Sequence, residues 1–356
     1  MASREEEVLA AVERRRRLKP KLKDELVTLA HGSGGKATHA LVEALFLEEL
    51  GNPLLDPLTD AALLDENGTR LAFSTDSFVV KPLFFPGGDI GELAVNGTVN
   101  DLAVSGARPI ALAAGFVVEE GFPIADLRRI AASMAAAARA AGVPVAAGDT
   151  KVVERGKADG VYVNTAGVGV VERDGLSPGR IEPGDRVLVS GTLGDHGMAI
   201  MIARGELELE VKLESDTAPL TELVRTLLEA TEEVRVLRDP TRGGLATVLN
   251  ELALAANVAI VVDEASMPVK PEVVGACEIL GIDPLYVANE GKLCAIVAAG
   301  AAETALDALR SHPVGADAAV VGEVRAEPEG LVLLETAFGG SRVVDMLVGD
   351  PLPRIC

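Results

Sequence analysis

The residues best suited to chemistry are a thiol at the end of the chain and a series of acids and amides where apolar segments stop. Cys356 closes the run Gly349-Asp350-Pro351-Leu352-Pro353-Arg354-Ile355-Cys356. A free cysteine is ordinarily a small buried hydrophobe, while chain ends are ordinarily solvated, so burial explains this thiol poorly and reactivity explains it better. Pro351 and Pro353 fix their own φ and bias Asp350 and Leu352 towards extended backbone. The expectation is a semi-stiff arm of roughly 20 Å, at about 3.3 Å per residue, able to carry sulfur from solvent into a cleft of its own protein. The plain alternative is an incidental terminal cysteine.

The acids recur at element ends. Residues 70–76 read as a strand ending in Asp76, and Asp89 opens a helix. In residues 94–103, the i,i+4 spacing puts Asn96 and Asn100 on one helical face beside Asp101, and amides inside an apolar helix need partners. A strand over residues 143–147 delivers Gly148-Asp149-Thr150-Lys151. Mg²⁺ prefers hard oxygen ligands and bridges carboxylates to phosphates, and a lysine beside it can hold a transferring phosphate. One such aspartate is a cap or turn residue. Asp76, Asp101 and Asp149 together, with Lys151 among them, point to a bound Mg-nucleotide.

Glycine-rich turns supply the other half of that reading. Residues 26–30 form an apolar run, read as a strand, followed by His31-Gly32-Ser33-Gly34-Gly35-Lys36 and a helical pattern from Thr38 to Leu50 stopped by Gly51. Strand, glycine loop and helix form a phosphate-binding order, because backbone N–H groups and the helix dipole face the anion. Ala30 and Ala37 exclude a Walker A loop. Gly32, Gly34 and Ala37 fit G-x-G-x-x-A, with Asp56 as the distant acid in a Pro-rich loop, so a dinucleotide turn and a ligand-free glycine turn both stand as alternatives. Two later loops, residues 191–197 and Asp239-Pro240-Thr241-Arg242-Gly243-Gly244, also open helices and suit phosphate oxygens or a second domain's backbone. His196, with no second His or Cys nearby in sequence, reads as a structural hydrogen bonder. Asn289-Glu290-Gly291 sets a polar triplet before the strand over residues 292–299, where a cleft would lie.

The elements that position these residues alternate strand and helix in both halves. With 356 residues and 48% hydrophobic content the chain is long enough for two α/β cores. The turn-rich segment 172–180 marks the boundary between them. A net charge of −21 argues against a nucleic-acid surface. No stretch reads as a membrane span or signal peptide, so the expected setting is the cytoplasm. Cys277, Cys294 and Cys356 form neither a CxxC pair nor a metal spacing. Residues 1–25, with Arg14 to Arg17 and interleaved lysines, read as a solvated charged arm, with a basic docking arm as the alternative.

The segments 31–35, 96–102, 148–153, 239–244 and 289–291 and the terminal Pro353-Arg354-Ile355-Cys356 resemble the HypE family of hydrogenase-maturation carbamoyl dehydratases, over about residues 26–356. Most are shared with the aminoimidazole ribonucleotide synthetase, selenophosphate synthetase and thiamine-monophosphate kinase superfamily; the terminal tetrapeptide singles out HypE. The resemblance implies an α/β (α+β) fold of two domains: an ATP-binding and dimerisation domain over 26–172, whose sheet forms a barrel across a homodimer, and a C-terminal α/β domain over 181–345. A mobile tail, 346–356, would carry Cys356. It implies that a HypF-like carbamoyltransferase loads the Cys356 sulfur, that ATP and Mg²⁺ drive dehydration of the thiocarboxamide to a thiocyanate, and that cyanide passes to iron on a HypC–HypD complex. Gly32, Ser33, Gly34, Gly35, Asn96, Asn100, Asp149, Thr150, Asp239 and Arg242 would hold nucleotide. Asp76, Asp101 and Asp149 would hold metal, and Lys151 and Glu290 would join Cys356 in catalysis, Glu290 as base for the N–H proton. A small-molecule kinase or ligase of the same superfamily, and a nonenzymatic cyano carrier, are the alternatives.

Overall fold

A helix that is apolar all round has to be enclosed, and the segment Ile90–Val104 is buried at every position except Glu92 and Asp101. Two sheets and the loops between them enclose it. The computed structural model describes residue 22 and residues 24–205, 211–349, 352 and 354–356. The charged arm expected over 1–25 therefore lies almost wholly outside the described residues.

In chain order the helices are α1 (Lys36–Leu41), α2 (Leu47–Leu50), α3 (Ile90–Val104), α4 (Ile124–Ala140), α5 (Asp195–Ala203), α6 (Thr221–Ala230), α7 (Gly244–Ala256), α8 (Pro271–Leu280) and α9 (Ala302–Arg310). A π-helical turn, Val42–Phe46, joins α1 to α2. The first sheet has the order β1-β2-β7-β5-β6, built from β1 (Ala62–Glu66), β2 (Thr69–Phe78), β5 (Ala107–Glu119), β6 (Val145–Val153) and β7 (Val161–Val171). Only its β5–β6 pair is parallel. A short hairpin, β3 (Phe84–Phe85) and β4 (Gly88–Asp89), leads into α3. The second sheet has the order β14-β13-β10-β12-β8-β11-β9. Its strands are β8 (Arg186–Val189), β9 (Val234–Arg238), β10 (Ala259–Asp263), β11 (Cys294–Val297), β12 (Ala319–Arg325), β13 (Val332–Glu335) and β14 (Ser341–Val344).

Period-two patterning sets the inner face of the first sheet: along β7, Val161, Val163, Thr165, Gly167 and Gly169 turn inward between more exposed neighbours. That face receives α3. Asp89 caps the helix, accepting the N–H of Gly91 at 2.8 Å and of Glu92 at 3.2 Å. The second sheet carries α7 within one apolar cluster and α6 and α9 within another. A further cluster joins α3 and α4 to α5, α8 and the tail residues Leu352, Ile355 and Cys356.

Two expected strands differ. Residues 26–30 are not a strand: Leu26, Val27 and Leu29 stand exposed, and Leu29–Gly32 is a 3-10 turn. Without a neighbouring strand, an apolar run has no ladder to join, and the dinucleotide-turn alternative loses the strand it needs. Residues 148–151 lie within β6 and not in a loop after it.

Candidate active site

The tail enters the cleft between the two domains and is held along its backbone. The Val79 N–H donates to the Cys356 carbonyl oxygen at 3.2 Å, and the Lys81 N–H to Arg354 at 3.1 Å. The Arg354 guanidinium pairs with Asp159, and Arg204 donates to the Arg354 carbonyl. Cys356 is only 6% exposed. Burial explains a terminal thiol poorly from sequence, yet here the thiol is enclosed, because Leu352 and Ile355 draw the segment into the apolar cluster beneath α5. Enclosure pushes the thiol up to about 12, with the Arg242 guanidinium pulling the other way and Glu290, its hydrogen-bond neighbour, pushing with burial.

Behind the sulfur lies a nest of acids. Asp60, Asp101 and Asp239 each place a carboxylate oxygen within 4.8 Å of the others. Burial first, and repulsion from Asp76, Asp239 and Asp60 second, hold Asp101 well above the carboxylate range, although it accepts a hydrogen bond from Ser74. Burial likewise raises Asp239 and Asp76, and lifts Asp60 to about 6 against the pull of Arg238. Arg238 Nε lies 3.0 Å from Asp60 while its other arm reaches Glu251 at 2.7 Å. Glu290 is raised well above its usual value by burial and then by Asp239, Asp216 and Asp76, with Arg242 opposing. Buried like charges at this density cost free energy unless a cation joins them.

The expected site residues divide into four groups. Cys356, Glu290, Arg242, Asp76, Asp101 and Asp239 come together. Gly32 to Gly35 form the wall over the tail: Arg242 reaches the Gly32 carbonyl at 3.4 Å, and Ser33 Oγ donates to Gly349 at 3.0 Å. Gly34 takes φ +77°, and a Cβ there would fall 2.6 Å from the Arg242 carbonyl oxygen, so glycine is required by both backbone and closeness. Asn100, expected to hold nucleotide, clamps the two halves together in the structure. Its Oδ1 accepts the Leu220 N–H at 2.8 Å, and its Nδ2 donates to the carbonyls of Ala218 at 3.0 Å and Glu290 at 3.1 Å, so both amide donors are engaged within the protein. Asn96 donates to Thr217 at 3.1 Å in the same clamp.

Asp149, Thr150 and Lys151 stand apart. They lie on the exposed edge strand β6, where Lys151 Nζ pairs with Asp149 at 2.6 Å. Asp76 is aligned through Thr165 and Ala114 with Gly148, three strands away. At about 4.8 Å per strand that is roughly 14 Å, so within one chain Asp149 does not join Asp76 and Asp101 as a metal ligand. Asp60, Arg238, Glu251 and Asp216 went unnoticed in the sequence. Asp60 shared the only available signal, an acid beside a strand, since it lies just before β1.

Residues 58–171 match the AIR synthase related protein N-terminal domain and residues 182–334 the corresponding C-terminal domain. The carbamoyl dehydratase HypE of Azotobacter vinelandii is 55% identical over 336 residues, 94% of this chain and 98% of that protein. A crystal structure of a HypE–HypF complex superposes with a TM-score of 0.82 at 50% identity, covering 86% of this chain and 100% of the other. HypE crystallised with ATP superposes with a TM-score of 0.78 at 49% identity, covering 93% and 100%.

Proposed function

The chain belongs to the carbamoyl dehydratase HypE family of AIR synthase related proteins, and from that premise we propose how its own residues carry the reaction. It is an ATP-dependent enzyme of hydrogenase maturation that dehydrates an S-carbamoyl group on Cys356 to a thiocyanate. The thiocarboxamide oxygen attacks the γ-phosphoryl group and ADP leaves. Loss of two N–H protons and departure of phosphate then give S–C≡N, so the carbamoyl oxygen leaves in the phosphate and no free water is taken up or released. The observation that carries the assignment of roles is the sulfur held beside Glu290 and Arg242, which in turn face Asp76, Asp101 and Asp239.

Glu290, raised by burial, is the base for the N–H proton. Arg242 faces both the sulfur and Glu290 and steadies negative charge on the reacting group. Asp60, Asp101 and Asp239, with Asp76 beside them, are the residues that would hold Mg²⁺: close, anionic, hard oxygen donors suit it. Bound there, the ion would supply charge neutralisation for phosphoryl transfer. The ATP complex of the relative supports nucleotide binding; Gly32, Ser33, Gly34 and Gly35 are the residues proposed to line its place. The HypE–HypF complex supports a HypF-like carbamoyltransferase as the donor partner; a HypC–HypD complex is the proposed cyanide acceptor, in the cytoplasm.

A homodimer is part of the proposal. The unpaired edge of β6 and its exposed Val145 and Val152 suit a second copy, closing the two sheets into a barrel and bringing Asp149, Thr150 and Lys151 to the partner's nucleotide. On this reading 26–172 is the ATP-binding and dimerisation domain, 181–345 the C-terminal domain, and 346–356 a tail that moves between partner and cleft. The test is mass spectrometry of the C-terminal peptide after incubation with carbamoyltransferase, carbamoyl phosphate and ATP. A carbamoyl adduct that becomes a cyano adduct only with ATP is expected; a carbamoyl adduct that persists with ATP would defeat the proposal.

A further inference from the structure

His196 is wholly buried on α5 and makes two hydrogen bonds that the reaction chemistry leaves unexplained. Its Nε2 stands 3.0 Å from the Ile355 carbonyl oxygen, one residue before the sulfur, and its Nδ1 stands 2.7 Å from Ser215 Oγ. A carbonyl oxygen only accepts, so Nε2 carries the proton. Burial holds the ring below its ordinary pKa and hence neutral, which leaves Nδ1 to accept from the Ser215 hydroxyl. That hydroxyl accepts the Thr217 N–H at 3.1 Å, and the Ser215 N–H is anchored to Pro86 at 2.8 Å. The tautomer is thus set by a strap, residues 215–218. The same strap holds the proposed base: Asp216 Oδ1 accepts the Glu290 N–H at 3.1 Å, and Lys292 Nζ lies 3.3 Å from Oδ2. Gly291 permits this contact, since a Cβ there would fall 1.9 Å from the Asp216 carbonyl oxygen.

We propose that His196 is a positioning residue for dehydration, its Nε2–H holding the Ile355 carbonyl so that the Cys356 sulfur stays against Glu290 and Arg242, with Ser215 fixing the tautomer that allows it. Sulfur and base are then registered to one strap, so their separation is preserved when the tail returns from a partner. The inference rests on the carbamoyl dehydratase reading. Position carries a large share of rate in such a reaction, because misplacing a reacting centre by an ångström costs on the order of 100-fold.

Glutamine puts an N–H donor near the place of the imidazole Nε2, whereas asparagine reaches only as far as Nδ1 and loses that donor. The experiment compares His196→Gln, His196→Asn and Ser215→Ala with wild type, full-length and loaded with Mg-ATP. Alkylation of Cys356 by iodoacetamide, followed on its C-terminal peptide, reads how often the tail opens. Single-turnover conversion of carbamoylated Cys356 reads dehydration. His196→Asn is expected to alkylate roughly three- to tenfold faster, the worth of one net hydrogen bond, and to convert more slowly by a similar factor at an unchanged KM for ATP. His196→Gln should track wild type in both, and Ser215→Ala should shift in the direction of His196→Asn. Equal alkylation of wild type and His196→Asn would overturn the proposal, as would a His196→Gln variant no better than His196→Asn. If wild type forms no thiocyanate while alkylation still separates Asn from Gln, the dehydratase reading fails and the latch stands.

Discussion

At Cys356 the surroundings oppose the thiolate, since burial lifts the thiol to about 12 and Arg242 offsets only part of that. A docked thiol is therefore a poor nucleophile, which fits a sulfur that takes up its carbamoyl group outside the cleft and returns with it. Cys356→Ala should fold and bind Mg-ATP yet never gain a carbamoyl or cyano adduct, as mass spectrometry of the C-terminal peptide would report; an adduct on another residue contradicts the carrier role. The acid nest gives a second prediction. Asp101 is raised, and a carboxyl with a raised folded-state pKa contributes stability that is present below its unfolded value near 3.8 and lost as pH rises through the folded value. Asp101→Asn should thus melt higher than wild type at neutral pH without metal, by a margin that shrinks towards pH 4, and Mg²⁺ should raise wild type more than the variant. Thermal melts at several pH values, with and without Mg²⁺, check it. Cys356, Glu290, Asp101 and Asp239 could be singled out in the sequence because a terminal thiol and a series of acids recurring at successive element ends exceed what single caps and turns require. Asp60 could not: its loop pattern is that of any turn, and only the fold brings it to Asp101.

The tail is the element on which the reaction turns, and two forces hold it. Burying Leu352 and Ile355 contributes about 1.5–3 kcal/mol each as an upper figure, while each net hydrogen bond contributes about 1 kcal/mol. Apolar burial therefore decides whether the tail docks, and the hydrogen bonds decide where the sulfur stops. Beside it remains a cavity of about 60 Å³ lined by Ser33, Arg242, Tyr286 and Leu347, among others. Two alanines appended after Cys356 would have to be accommodated at this narrow place, and they replace the carboxylate whose oxygen takes the Val79 N–H. The extended protein should fold and bind ATP nearly as before, accept some carbamoylation, and form thiocyanate at least about 100-fold more slowly; equal single-turnover rates would make the terminal position incidental. The sequence pointed to a tail that could reach a cleft but not to what would hold it there, because Ile355 and Leu352 show their worth only against α5 and α8; Pro351 and Pro353 themselves lie outside the described residues. In the same way α3 was legible from its apolar run and its Asp89 cap. The partners of Asn100 were not, since they lie 118 to 190 residues away.

At the scale of the whole molecule, the described chain leaves one part of its proposed machinery unassembled. Lys151 and Asp149 neutralise each other on an exposed edge, far from the acids they were expected to serve. An edge strand with free backbone groups and exposed Val145 and Val152 is a pairing site unless something covers it. On the proposed arrangement, a second copy related by a twofold axis would cover both edges at once and would send each Lys151 towards the other chain. The α/β halves were legible from alternating strand and helix patterns, whereas this edge was not, because pairing order is set by tertiary contacts and not by the pattern within a strand. Val152→Asp puts a charge on that edge in both copies, so repulsion and desolvation oppose pairing without touching the acid nest or the tail. The variant should sediment as a monomer where wild type is a dimer, keep its fold by circular dichroism, and lose dehydration while its Cys356 is still carbamoylated. Lys151→Ala should lose dehydration equally but remain dimeric. A monomeric Val152→Asp that dehydrates at the wild-type rate would return Lys151 to an ordinary surface role and leave Arg242 to meet the phosphate charge without the partner's lysine.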